Sequence, residues 1–104
     1  VEILLFYIPV GSAAEADRIA SHVIEQRLAA CANVFPIQST FFWKGVMEHE
    51  EEYVLILKTL PALATPLQLA LEALHAYETP CLISWPVTVN DAYGKWVESQ
   101  VRDQ

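Results

Sequence analysis

Two long extended stretches, Cys31 to Trp43 and Val46 to Thr59, flank the dipeptide Lys44-Gly45, and this arrangement constrains the chain more than any other feature. A tight turn at Lys44-Gly45 makes them the arms of one β-hairpin. Antiparallel counting from that turn sets Phe42 opposite Met47, Phe41 opposite Glu48 and Thr40 opposite His49. Pro36 has no N–H for a strand ladder, which puts the first arm at a sheet edge or at a bulge. Each arm runs about thirteen residues, roughly twice the usual strand. Such a hairpin must overhang the sheet that the rest of the chain builds.

The remaining pattern is short and regular. Glu2 to Ile8 is an almost unbroken apolar run, as expected of a strand covered on both faces, and Pro9 and Gly11 stop it. Ser12 and Glu15 form a capping box ahead of a helix whose apolar stripe is Ile19, Ala20, Val23, Ile24 and Leu28. Leu63, Leu67, Ala70, Leu71 and Leu74 mark a second helix, its start blurred by Pro61 and Pro66, with Thr65 as one possible cap. Pro80 to Val87 is a last strand, and Asn90 or Asp91 caps a terminal helix carrying Tyr93, Trp96, Val97 and Val101. The order β-α-β-β-α-β-α predicts an α+β, ferredoxin-like βαββαβ sandwich with an additional C-terminal helix, one domain over residues 1–104. Two helices cover one face of a four-stranded sheet. The other face, and the overhanging hairpin, call for partner copies, and closed symmetry is the usual way to supply them.

Charge excludes some functions. Thirteen acidic residues against six basic ones give a net charge of -7 and a pI near 4.7, the opposite of the basic surface that nucleic acids require. No apolar run approaches the roughly 20 residues of a membrane helix, so no membrane insertion is expected. Cys31 and Cys81 stand far apart with no CxxC, which points to neither a disulfide scaffold nor a zinc ribbon and to a reducing compartment, the cytoplasm. No Ser-His-Asp, P-loop, GxGxxG or HExxH constellation is present, so the chain is not expected to be an enzyme.

Several residues are candidates for binding. His75 closes the second helix, where an imidazole can serve the terminal carbonyls; with Tyr77, Glu78 and Cys81 it also offers nitrogen, oxygen and sulfur ligands for a borderline or soft metal. Cys31 suits core packing as a small apolar group, yet across a subunit boundary it can approach Cys81 and join such a ligand set. In Glu48-His-Glu-Glu-Glu52, strand alternation puts Glu48, Glu50 and Glu52 on one face, either as a solvated edge or, in several copies, as an acidic mouth for a divalent ion. Phe41, Phe42 and Trp43 at the hairpin tip, with Trp96 of the last helix, read as interface residues.

The motifs also carry a resemblance. Arg27-Leu-Ala-Ala-Cys-Ala-Asn-Val34 resembles the LAAC-x-N junction of the CutA divalent-cation tolerance family. Ser39-Thr-Phe-Phe-Trp-Lys-Gly45 is similar to that family's hairpin tip, and Glu48, Glu52 and Lys58-Thr59 fit its third strand. His75-Ala-Tyr-Glu-Thr-Pro80, Tyr93 and Trp96 follow in the same order, with Ala76 where the family has proline. The resemblance implies a ferredoxin-like homotrimer joined through long hairpins, linked to tolerance of copper and other divalent metals, with divalent metal, copper among them, as the bound ion. It also implies a likeness to PII signalling trimers, which leaves a small-ligand sensor, or a module that anchors other proteins, as alternatives.

Overall fold

The computed structural model describes residues 1–103. Four strands, β1 (Glu2–Val10), β2 (Cys31–Trp43), β3 (Val46–Thr59) and β4 (Ile83–Thr88), combine with helices α1 (Ala13–Glu25), α2 (Ala64–Leu74) and α3 (Asp91–Gln100) in the order β1-α1-β2-β3-α2-β4-α3. They form one antiparallel sheet in the order β2-β3-β1-β4. This is the expected α+β sandwich with its extra helix. The hairpin register is the one counted from the turn, Phe42 with Met47, Phe41 with Glu48 and Thr40 with His49, unbroken by a bulge. Lys44 and Gly45 both take positive φ, 51° and 83°, the twist a two-residue turn needs to match its strands.

Prolines sit where their missing N–H costs no ladder bond. Pro36 and Pro86 lie in the two edge strands, β2 and β4. Pro9 does not stop β1, as its chemistry alone led us to expect; the strand runs on to Val10. Pairing with β4 ends at Tyr7, so beyond that point β1 needs partners on the β3 side alone.

Leu4, Phe6, Ile8 and Val10 of β1 join Leu55 and Leu57 of β3 in a core closed by Ile19 and Val23 of α1 and Leu67 and Leu71 of α2. α1 ends through Arg27, whose φ is 59°: Arg27 N–H donates to the Ile24 carbonyl and Leu28 N–H to that of Val23, a Schellman closure made without glycine. Thr65 caps nothing; Leu63 stands at the N-cap of α2 after a 3-10 turn at Pro61–Leu63.

α3 takes the other face of the sheet. Lys58, paired with Leu5 on that face, lies 5.6 Å over the Tyr93 ring, and Ile3 of the same face is buried. Cover is partial. Phe35, Ile83 and Trp85, with Tyr7 and Ile56 between them, share this face by register, and the first three stay exposed.

Beyond the Val10–Tyr53 pair, seven β2–β3 pairs continue without β1, an overhang of about 23 Å. The molecule measures 45 × 24 × 21 Å with a radius of gyration of 14.3 Å, against about 13 Å for a compact chain of this length.

Candidate functional site

Segment 75–82, between α2 and β4, runs beside this overhang and is fastened at its start. Leu71, one turn earlier, accepts the His75 N–H, and Arg18 of α1 donates to the Leu74 carbonyl at 2.9 Å, serving the end of α2. The His75 side chain is fully buried. Its Nε2 lies 2.8 Å from the Pro9 carbonyl and its Nδ1 3.0 Å from the Tyr77 N–H. The neutral tautomer with hydrogen on Nε2 satisfies both contacts, an assignment made from the hydrogen-bond network. Glu15 completes the fastening. One carboxylate oxygen accepts from Gly11 N–H at 3.3 Å and the other from Ala76 N–H at 3.1 Å. The capping box is therefore half formed: Ser12 Oγ accepts from Glu15 N–H at 3.1 Å, while the Glu15 carboxylate serves Gly11 and segment 75–82.

Between this segment and the overhang lies a cleft of about 760 Å³, lined by Glu48, Glu50 and Glu52 of β3, with Glu51 beside them, and by Tyr77, Glu78 and Cys81 across from them. Phe41 and Trp43 supply an aromatic end. Among the described residues, two side-chain contacts span it. Tyr77 donates its hydroxyl to Glu52 at 2.7 Å, and Lys44 Nζ stands 3.5 Å from the Glu78 carboxylate in the open. Glu52 is only 6% exposed, a buried carboxylate held by a phenol.

Burial, then the Glu52 hydrogen bond, then the charges of Glu52, Glu15 and Glu50 push the Tyr77 hydroxyl well above its usual 10.0. The folded state thus resists losing a proton that the unfolded chain gives up near pH 10, so this contribution is intact below pH 10 and fades as pH climbs beyond it. Urea midpoints measured from pH 8 to 11 are expected to fall less steeply in Tyr77→Phe than in the wild type. Parallel slopes would remove Tyr77 from the alkaline response.

The structure gathers Glu78, Cys81 and the three β3 carboxylates along one cleft. His75 lies behind it with neither ring nitrogen free. Cys31 stands at the opposite end of β2, paired with Lys58, remote from the hairpin tip. Among the described residues no three His, Cys, Asp or Glu side chains converge as a finished metal site within one subunit. Phe41, Phe42, Trp43 and Trp96 are all exposed. Sequence reasoning did not find the Glu15 and Tyr77–Glu52 contacts. The Tyr-Glu string drew attention to Tyr77, but no periodicity links it to Glu52.

Comparison with known proteins decides the family. The profile of the CutA1 divalent ion tolerance protein matches residues 4–100. The chain belongs to the CutA1 divalent ion tolerance family. Among its CutA relatives, the divalent-cation tolerance protein of Archaeoglobus fulgidus is 41% identical over 81 residues, 78% of this chain and 79% of that one. The chloroplastic CutA of Arabidopsis thaliana is 31% identical over 102 residues; the match spans 96% of this chain but 56% of that protein. Solved CutA structures superpose closely. The periplasmic CutA from A. fulgidus gives a TM-score of 0.92 at 35% identity, covering 96% of this chain and 99% of that one. CutA1 from Oryza sativa gives 0.93 at 30% identity, covering 100% and 97%.

Proposed function

We propose that this divalent-cation tolerance protein works as a homotrimer that takes up divalent metal ions, copper among them, in the cleft between the hairpin overhang and segment 75–82, by binding and not by catalysis. The single observation that supports the ion reading is the line of Glu48, Glu50 and Glu52 facing Glu78 and Cys81 across that cleft. Carboxylates suit hard and borderline cations, and a thiolate shifts the preference toward zinc or copper. A neighbouring copy or water would complete the coordination. Assembly is supported by the overhang and by the exposed face holding Phe35, Ile83 and Trp85, which is more apolar surface than a lone soluble subunit usually presents. The proposal places the chain in the cytoplasm, where Cys81 remains a thiol. No feature of the fold favours the small-ligand sensor or the anchoring module.

Equilibrium dialysis of chelator-stripped protein against zinc and copper tests the reading. Uptake by the wild type, weakened about tenfold in Glu50→Gln and Glu78→Gln by loss of one charged ligand each, is the expected result. Absence of uptake at any metal concentration that keeps the protein in solution would remove the ion from the proposal. Sedimentation equilibrium should give about three times the 11.7 kDa of one chain. A stable single-chain particle at micromolar concentration would remove the trimer.

A further inference from the structure

We propose that the Tyr77–Glu52 hydrogen bond is a latch that sets whether segment 75–82 lies closed against the hairpin overhang. The inference rests on how unevenly this segment is tied. His75, at its start, is locked by two ring contacts within a buried pocket, to Pro9 of β1 and to Tyr77 N–H, while Ala76 N–H is held by Glu15 of α1. From Tyr77 to Leu82 the chain has neither helix nor strand before β4 begins at Ile83. Within that stretch, two polar side-chain contacts reach β3 and the hairpin turn, and Leu82 at its end packs against the core. The Lys44–Glu78 pair has side chains 70% and 69% exposed, and an ion pair so open contributes little.

The Tyr77–Glu52 bond is of another kind. Its acceptor is a carboxylate almost withdrawn from water, its length is 2.7 Å, and its donor ring leans on His75 with centroids 4.7 Å apart. A charged, buried acceptor is costly to leave unpaired. Opening the segment therefore means exposing Glu52 to water, and closing it restores the pair. Glu52 sits on β3 one residue beyond the last β1 pair, where the overhang leaves the sheet. The latch is thus at the root of the cleft, between His75, buried at one end of the segment, and Leu82, packed against the core at the other. As a deepening of the proposed ion reading, and resting on it, the latch is what keeps Glu78 and Cys81 opposite the β3 carboxylates.

Hydrogen exchange on the full chain, read peptide by peptide, tests this. In Tyr77→Phe, amides of residues 77–82 and 48–52 are expected to exchange about ten- to a hundredfold faster, the range expected for loss of one hydrogen bond to a charged group, while those of β1 and α1 keep their wild-type rates. Glu52→Gln, which retains an uncharged acceptor, should give a smaller acceleration in the same peptides. Lys44→Ala should leave them unchanged. Unaltered exchange in both latch variants, or a uniform acceleration through β1 and α1, would overturn the latch. Failure of the wild type to take up zinc would sink the ion reading and leave this exchange pattern as it stands.

Discussion

His75→Ala is expected to lower the unfolding free energy by about 2–4 kcal/mol, the sum of two orphaned buried groups and a modest cavity. The imidazole bridges three parts of the fold: it caps α2, takes the Pro9 carbonyl at the end of β1 and holds the Tyr77 N–H at the start of segment 75–82. Alanine leaves Pro9 O and Tyr77 N without their partner in a place water does not easily reach. His75→Gln, whose amide nitrogen lies near the position of Nε2, is expected to recover part of the loss through Pro9. Urea unfolding at one fixed protein concentration measures both, since a change in assembly would otherwise shift the midpoint. A loss below about 0.5 kcal/mol for alanine, the range of ordinary surface changes, would show that these contacts carry no weight. Zinc uptake by folded His75→Ala is expected to stay near wild type, because neither ring nitrogen faces the cleft. A large drop in uptake with unchanged stability would show His75 to be a ligand.

The second large effect concerns assembly. Trp85→Glu is expected to convert the proposed three-chain particle to single chains at micromolar concentration, weakening association by at least a hundredfold through loss of a central aromatic anchor and burial of a charge. Trp85 lies on β4 opposite Leu5, on the sheet face that α3 leaves partly open, and is 38% exposed in the single subunit. The subunit itself should tolerate the change, as the side chain closes no part of the main core. Leu69→Glu is the matched control: Leu69 is 61% exposed on α2, on the far side of the sheet, and its variant should sediment as wild type. Equal sedimentation of both variants and wild type would place the subunit contact elsewhere.

The candidate site was only partly readable before folding. The spacing of Glu48, Glu50 and Glu52 gave most of one wall of the cleft, because strand alternation is a property of neighbours in sequence, while Glu51, assigned by alternation to the other face, also lines it. Glu78 and Cys81 on the opposite wall came from chemistry and resemblance, and the fold brings them to the same cleft. His75 was ambiguous between a structural and a ligating role, since a helix-end histidine has the same sequence context in both. Its two ring contacts, one of them 66 residues away, could not be seen from that context. Glu15 was expected to serve its own helix start and instead ties Ala76, 61 residues on.

What the sequence determined by itself was local: the Lys44-Gly45 turn and the register counted from it, the apolar stripes of the helices, and the overhang that follows from arm length. These depend on φ preferences, side-chain period and chain connectivity, all fixed within a few residues. Tertiary structure alone decided that α3 lies on the open face, that Pro9 stays within β1, that His75 is spent on Pro9 and Tyr77, and that Tyr77 meets Glu52 at the root of the cleft. Each of these depends on which polar group is left without a partner once the strands have paired, and that is known only after distant segments have been brought together.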